Sequence, residues 1–123
     1  VYTVPGPLPV SDLQIFKAEF FKALAHPIRI RVLELLRTRE HSVQELQGAL
    51  GLDQSTVSQQ LAVLRSKNVV GARKEGTTVR YAVRDPLVGD LLDVARRIFN
   101  NQLTGSRTML RELQRESRRP ARR

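Results

Sequence analysis

The sequence predicts a mainly α-helical domain that carries one small β-hairpin. Three observations predict it. Residues 42–67, SVQELQGALGLDQSTVSQQLAVLRSK, hold two short amphipathic patterns on either side of a Gly-Leu-Asp turn, and the second carries small polar side chains on its outer side. Residues 69–84, VVGARKEGTTVRYAVR, switch to the period-2 alternation of a strand and enclose a Glu-Gly-Thr turn, as a hairpin with a basic tip does. Apolar stripes at helical spacing lie before and after these segments. The resulting order, α-α-α-α-β-β-α, is that of a winged helix-turn-helix, in which one helix braces and the next lies in the major groove of DNA.

Each element has its own signal. Ser11 is placed as the N-cap of the first helix, where Leu13, Phe16, Phe20 and Leu24 share a face that Ile15 and Phe21 widen. So wide a stripe on so small a domain predicts two contacts, one with the core and one with a second subunit. Pro27 suits the first turn of the second helix. Ile28, Val32, Leu35 and Leu36 form its inner side, and Arg29, Arg31, Glu34 and Arg37 face out. Ser42 caps the third helix with Glu45 at the capping-box position; Val43, Leu46 and Leu50 point inward, and Gly51 ends the helix in a left-handed C-cap. Asp53 caps the fourth, whose inner stripe is Val57, Leu61 and Leu64.

In the hairpin Val79, Tyr81 and Val83 alternate with Arg80, Ala82 and Arg84. Asp85 and Pro86 start the last helix, which runs through Leu87, Leu91, Val94 or Ala95, Ile98 and Leu103. Thr104-Gly105-Ser106 kinks or breaks it, and Met109, Leu110 and Leu113 resume the pattern. The final RESRRPARR has no apolar period and reads as a frayed tail. Three parts follow: an extended leader at 1–10 with Pro5, Pro7 and Pro9, one domain at 11–106, and a basic extension and tail at 107–123.

Composition narrows the function. The chain of 123 residues suits one domain, and with no Trp and few aromatics its core must be aliphatic. It has no Cys, which excludes disulfides, thiolate metal ligands and thiol switches. The opening residues lack the pattern of a signal peptide, and no apolar run reaches membrane-spanning length, so the expected setting is the cytoplasm, on the nucleoid, with no membrane partner.

The formal charge of +9 is unevenly placed. Residues 1–64 balance. Residues 65–84 hold Arg65, Lys67, Arg73, Lys74, Arg80 and Arg84 against Glu75 alone, and residues 107–123 hold seven Arg against Glu112 and Glu116. Charge focused on the wing and the tail predicts a polyanionic partner, double-stranded DNA.

With Val57, Leu61 and Leu64 inward, the fourth helix presents Ser55, Thr56, Ser58, Gln59 and Ala62. Gln pairs bidentately with adenine, and Ser and Thr bond to bases or phosphates. Gln59 and Thr56 are the candidates for base edges, and Ser55 and Ser58 for phosphates. Gln60 is a flank contact or a packing residue. On the wing, Arg73, Lys74 and Arg80 are candidate phosphate or minor-groove contacts, with Thr77 and Thr78 adding hydrogen bonds. Arg65 and Lys67 join them at the end of the helix, where a cation also complements the helix dipole.

FFKALAHPIRIRVLELL at 20–36, SVQELQGALGLDQSTVSQQLAVLRSKNVV at 42–70 and ARKEGTTVRYAV at 72–83 resemble the ArsR/SmtB family of winged-helix repressors. The A-H-P-x-R step at 25–29, the S-x-x-S-x-x-L core at 55–61 and the G-T-x-x-x-Y wing at 76–81 are specific in combination. The resemblance covers roughly residues 13–104. It implies a homodimer through the first and last helices, with Leu13, Phe16, Phe20, Leu91, Ile98 and Leu103 at its interface, and repression of transcription at a palindromic operator.

The family commonly senses metals, and here the sequence departs from it. One usual site needs cysteines on the third helix, which Val43 to Leu50 lack. Another needs His beside acidic residues on the last helix, where Asp90 and Asp93 have none and read as solvated charges. His26 belongs to the family's helix junction. No metal or other cofactor is expected. A small-molecule effector at the dimer interface and no effector at all both remain open. No enzyme is expected, since neither His has a nucleophile-and-carboxylate pattern and no glycine loop cradles phosphate. The alternative reading is a non-specific or architectural nucleic-acid-binding protein of the same fold.

Overall fold

The computed structural model describes residues 9–103 and 105–117. Its elements run α1 (Asp12–Leu24), α2 (Pro27–Leu36), β1 (His41–Ser42), α3 (Val43–Leu50), α4 (Gln54–Ser66), β2 (Val70–Glu75), β3 (Thr78–Val83), α5 (Leu87–Gln102) and α6 (Arg107–Ser117). The order is the one expected, with one addition. β1 pairs antiparallel with β3, giving a three-stranded sheet in the order β1-β3-β2. A two-residue strand has no periodicity to read, and Ser42 was legible only as a cap.

The helix ends are set by local chemistry. Ser42 N–H donates to Glu45 Oε1 at 2.9 Å and Glu45 N–H to Ser42 Oγ at 3.1 Å, closing the capping box of α3. Gly51 ends α3 at φ +67°, a conformation any side chain would resist. The Asp53 carboxylate takes the N–H of Thr56 at 2.8 Å and opens α4. α4 ends on Asn68, left-handed at φ 59°, where Val69 N–H reaches back to Leu64 O and Asn68 N–H to Arg65 O. Asp85 accepts from Leu87 N–H at 2.9 Å at the start of α5.

Among the described residues nine side chains are fully buried: Val32, Leu33, Leu36, Leu46, Val57, Leu61, Leu64, Val69 and Val70. They come from α2, α3, α4 and the root of β2, and they fix α4 against the rest of the domain. The core is aliphatic, as composition demands. Leu33 is the member the stripe on α2 did not show. At 100° per residue it falls beside Leu36 on a face wider than one row of contacts requires.

Three outward assignments need correction. Arg29 is half-buried: its Nε donates to Ala23 O at 2.6 Å, one Nη to Lys22 O at 3.1 Å and the other to Gln60 Oε1 at 2.9 Å. It closes the end of α1 and ties α2 to α4. Arg37 binds Asp93 through two parallel bonds of 2.7 and 2.9 Å, so Asp93 is no free solvated charge. Its carboxyl is held below the usual range by that hydrogen-bonded guanidinium. A long stem with a planar five-donor head lets an arginine leave the surface and still be satisfied, which helical periodicity cannot register.

α5 stops at Gln102 and α6 begins at Arg107, matching the expected break, although Thr104 lies outside the described residues. α6 reaches Ser117, three residues into the segment expected to fray. Leader residues Pro5 and Pro7 and the terminal arginines from Arg118 on lie outside the described residues.

Candidate nucleic-acid interface

α4 and the β2–β3 hairpin stand side by side. The hairpin turns on Gly76-Thr77, with Gly76 at φ +62°, a Gly-X two-residue loop that keeps the strands in tight register. On the outer face of α4, Ser55, Gln59, Ala62 and Arg65 are exposed and Thr56 and Ser58 half-buried. A shallow groove lined by Ser58, Ala62, Arg65 and Tyr81 separates this helix from the sheet.

Not every predicted residue keeps a free side chain. Asp53 is held below the usual carboxylate range by hydrogen bonds from the Thr56 hydroxyl and N–H, so Thr56 is engaged in its own helix cap. Gln60 is turned inward onto Arg29, the packing role of its two expected roles. Lys67 sits 3.6 Å from Glu19 on α1. Gln59, Ser55 and Arg65 remain open to solvent, as do Thr77 and Lys74 on the hairpin. Neither Lys74 nor Arg65 makes an ion pair among the described residues.

The two wing arginines are held by carboxylates. Arg73 Nη2 lies 2.7 Å from Glu40 and its Nη1 3.0 Å from Glu75. Arg80 bonds Glu45 at 3.0 Å and Glu75 at 3.3 Å. Arg39 joins from below, 3.1 Å from Glu45. Glu45 is lowered to about 2, first by the Ser42 N–H and then by Arg39 and Arg80. Glu75 is lowered by Arg73 and Arg80. Glu40 and Glu45 lie some thirty residues before the hairpin, so counting charge along residues 65–84 alone overstated what the wing exposes.

The expected interface residues fall on two helix surfaces, those of α1 and α5. On α1 Leu13 and Phe16 are exposed, with Phe16 at 73%, and Ile15 and Phe21 extend the patch. Phe20 turns to the core and meets Phe21 edge-on at 5.5 Å. On α5 Ile98 is exposed and Leu91 half-buried, as is Leu103 just past its end. Val94, Phe99 and, on α6, Met109 are exposed as well. Phe99 escaped the sequence reading because it sits one residue off the stripe through Ile98.

Among the described residues no group of three or more His, Asp or Glu is placed to hold a metal ion. His26 instead caps α2, its Nδ1 accepting from Ile28 N–H at 3.1 Å. An open cavity of about 940 Å³ lies between α2, α5 and α6, with Arg31, Glu34, Arg97 and Leu113 in its walls. Burial and the nearby Glu116 push the Glu34 carboxyl up. No described helix is long and apolar enough to cross a membrane.

Residues 26–71 match the model of the bacterial regulatory proteins of the arsR family. The whole domain is similar to Rv0081, an uncharacterised HTH-type transcriptional regulator of Mycobacterium tuberculosis, with 48% identity over 104 residues, 84% of this chain and 91% of that one. The chain belongs to the ArsR family. The crystal structure of Rv0081 superposes with a TM-score of 0.73 at 47% identity, covering 78% of this chain and 97% of that one. A homodimeric winged helix-turn-helix DNA-binding domain from Mycobacterium bovis, solved by NMR, superposes at 0.70 with 30% identity, covering 78% and 89%. A biofilm growth-associated repressor of Agrobacterium fabrum is 35% identical over 94 residues, 76% of this chain and 80% of that one. This ArsR-family member is thus a transcriptional regulator with a DNA-binding winged helix.

Proposed function

We propose that this chain is a homodimeric repressor that reads a palindromic operator, each copy placing α4 in the major groove and its hairpin against the flanking backbone. The observation that carries the reading is the outer face of α4: Ser55 and Gln59 stand exposed on a helix whose inner side is locked into the core by Val57, Leu61 and Leu64. A rigidly seated helix with a free Gln is what direct readout of a base edge requires. In this reading Gln59 contacts bases, and Ser55, Ser58, Arg65 and Lys74 contact phosphates. Thr77 adds a hydrogen bond at the wing tip. Thr56, Gln60 and Lys67 position the helix rather than touch DNA.

The dimer joins the exposed apolar faces of α1 and α5, with Leu13, Phe16, Ile98 and Leu103 at its centre and Phe20 and Leu91 beneath them. The M. bovis relative is homodimeric and the A. fabrum relative is named a repressor, which supports both halves of the reading. The protein acts in the cytoplasm, on the nucleoid. Neither a metal nor a thiol is its signal. The cavity between α2, α5 and α6 has room for a small-molecule effector, and α2 also holds α4 through Arg29.

A nuclease footprint on the DNA upstream of the protein's own gene tests the proposal. The expected result is a protected inverted repeat whose half-sites are about one helical turn, roughly 34–36 Å, apart. Protection that spreads evenly along any duplex would instead establish the architectural alternative.

A further inference from the structure

We infer that Glu40 and Glu75 are specificity-determining residues: they form an electrostatic clasp that keeps Arg73 and Arg80 off the DNA backbone until the operator is engaged. The inference rests on the proposal that this face binds DNA. Arg73 and Arg80 are directly opposite one another across the β2–β3 ladder. Like charges in that register repel. Glu75, on the turn side of the hairpin, reaches both, 3.0 Å from Arg73 and 3.3 Å from Arg80. Glu40, just before β1, takes Arg73 through two contacts of 2.7 and 3.3 Å. Glu45 takes the other side of Arg80.

None of these side chains is fully buried: Arg73 and Glu75 are 52% and 55% exposed, and Glu40, Arg80 and Glu45 are half-buried. The pairs are therefore weak and screened by salt, each worth no more than an exposed ion pair. That weakness is what a clasp needs. A lone phosphate passing the wing must displace a carboxylate already in place and gains little. An operator that has seated α4 holds its phosphates against the wing for long enough to exchange partners. Glu75 and Glu45 stay ionised far below neutral pH because of these arginines and, for Glu45, the Ser42 N–H. Ionic strength is the variable that opens the clasp. Lys74, which faces away from Arg73 and Arg80 along the strand and has no such partner, supplies the unspecific attraction.

The test uses the full chain with Glu40→Gln and Glu75→Gln combined, Glu112→Gln on α6 as a control that removes a carboxylate away from the wing, and Arg73→Ala as a background. Glu45 is left intact because it caps α3. Binding to a random-sequence duplex and to the footprinted operator is measured across a salt series. The double variant should bind the random duplex roughly threefold to tenfold more tightly, with a smaller gain on the operator, and its log K against log[salt] should steepen by about 0.9 for each arginine freed. Glu112→Gln should change neither. In the Arg73→Ala background most of the gain should vanish. Random-duplex affinity equal to wild type would overturn the clasp, and so would a gain that persists in full without Arg73, since the acids would then act on phosphate directly. A wild-type chain that binds no duplex would instead refute the DNA reading itself. Thermal unfolding of each variant confirms that the fold is intact.

Discussion

Gln59 and Lys74 are both polar and exposed, but the proposed DNA complex gives them different work. Gln59 projects from the middle of a seated helix, and its amide matches adenine. Lys74 is a flexible point charge on a hairpin. Gln59→Ala should therefore flatten the preference among operator variants by about 1–3 kcal/mol at one position, and Lys74→Ala should weaken all duplexes by the same factor. Competition binding against single-base operator variants separates the two; identical profiles for both mutants would contradict the assignment.

Glu45 offers a second test at this scale. Its folded pKa lies at about 2, below the ordinary carboxylate value, so its ionised form favours the fold. That contribution is whole above the unfolded pKa and is lost as pH falls towards 2. Glu45→Gln should lower Tm at pH 7, and the gap from wild type should narrow steadily below about pH 4.5. A gap independent of pH would place its effect in packing alone. Of this residue the sequence showed the capping box, because Ser42 and Glu45 are three apart. It did not show Arg39 and Arg80, because the strand register that delivers Arg80 is a long-range fact.

At the scale of elements, helix and hairpin positions were legible because each has a start or stop that is local: Ser42, Gly51, Asp53 and the Gly76 turn all act within a few residues. What escaped was tertiary. β1 exists only because β3 offers an edge to His41 and Ser42. The Arg37–Asp93 pair spans α2 and α5, and Arg29–Gln60 spans α2 and α4. These contacts make α2 the beam of the domain, and its buried side is tested by Leu33→Ala. Removing a fully buried leucine should cost about 2–5 kcal/mol, read as a shifted urea midpoint with unchanged m. A loss under 1 kcal/mol would mean that α2 is less tightly seated than its packing indicates.

For the whole molecule the unpartnered surface matters most. Phe16, Leu13, Ile15 and Phe21 on α1 and Val94, Ile98 and Phe99 on α5 are too many large apolar groups for a monomer to leave in water without a function. Those on α1 were legible as a stripe too wide for one contact, and the monomer buries only its inner edge. Phe16→Glu should shift sedimentation from dimer to monomer and weaken operator binding by more than tenfold, since each half would then bind alone. A variant that stays dimeric would move the interface elsewhere.

The central claim is that two seated copies of α4 read one palindrome. Selection of bound duplexes from a random-sequence pool, run with wild type and with Gln59→Ala, tests it most directly. Wild type should enrich an inverted repeat with half-sites about one turn apart, and Gln59→Ala should lose preference at the same base in both halves. Enrichment of a motif without two-fold symmetry, or one that Gln59→Ala leaves unchanged, would contradict it.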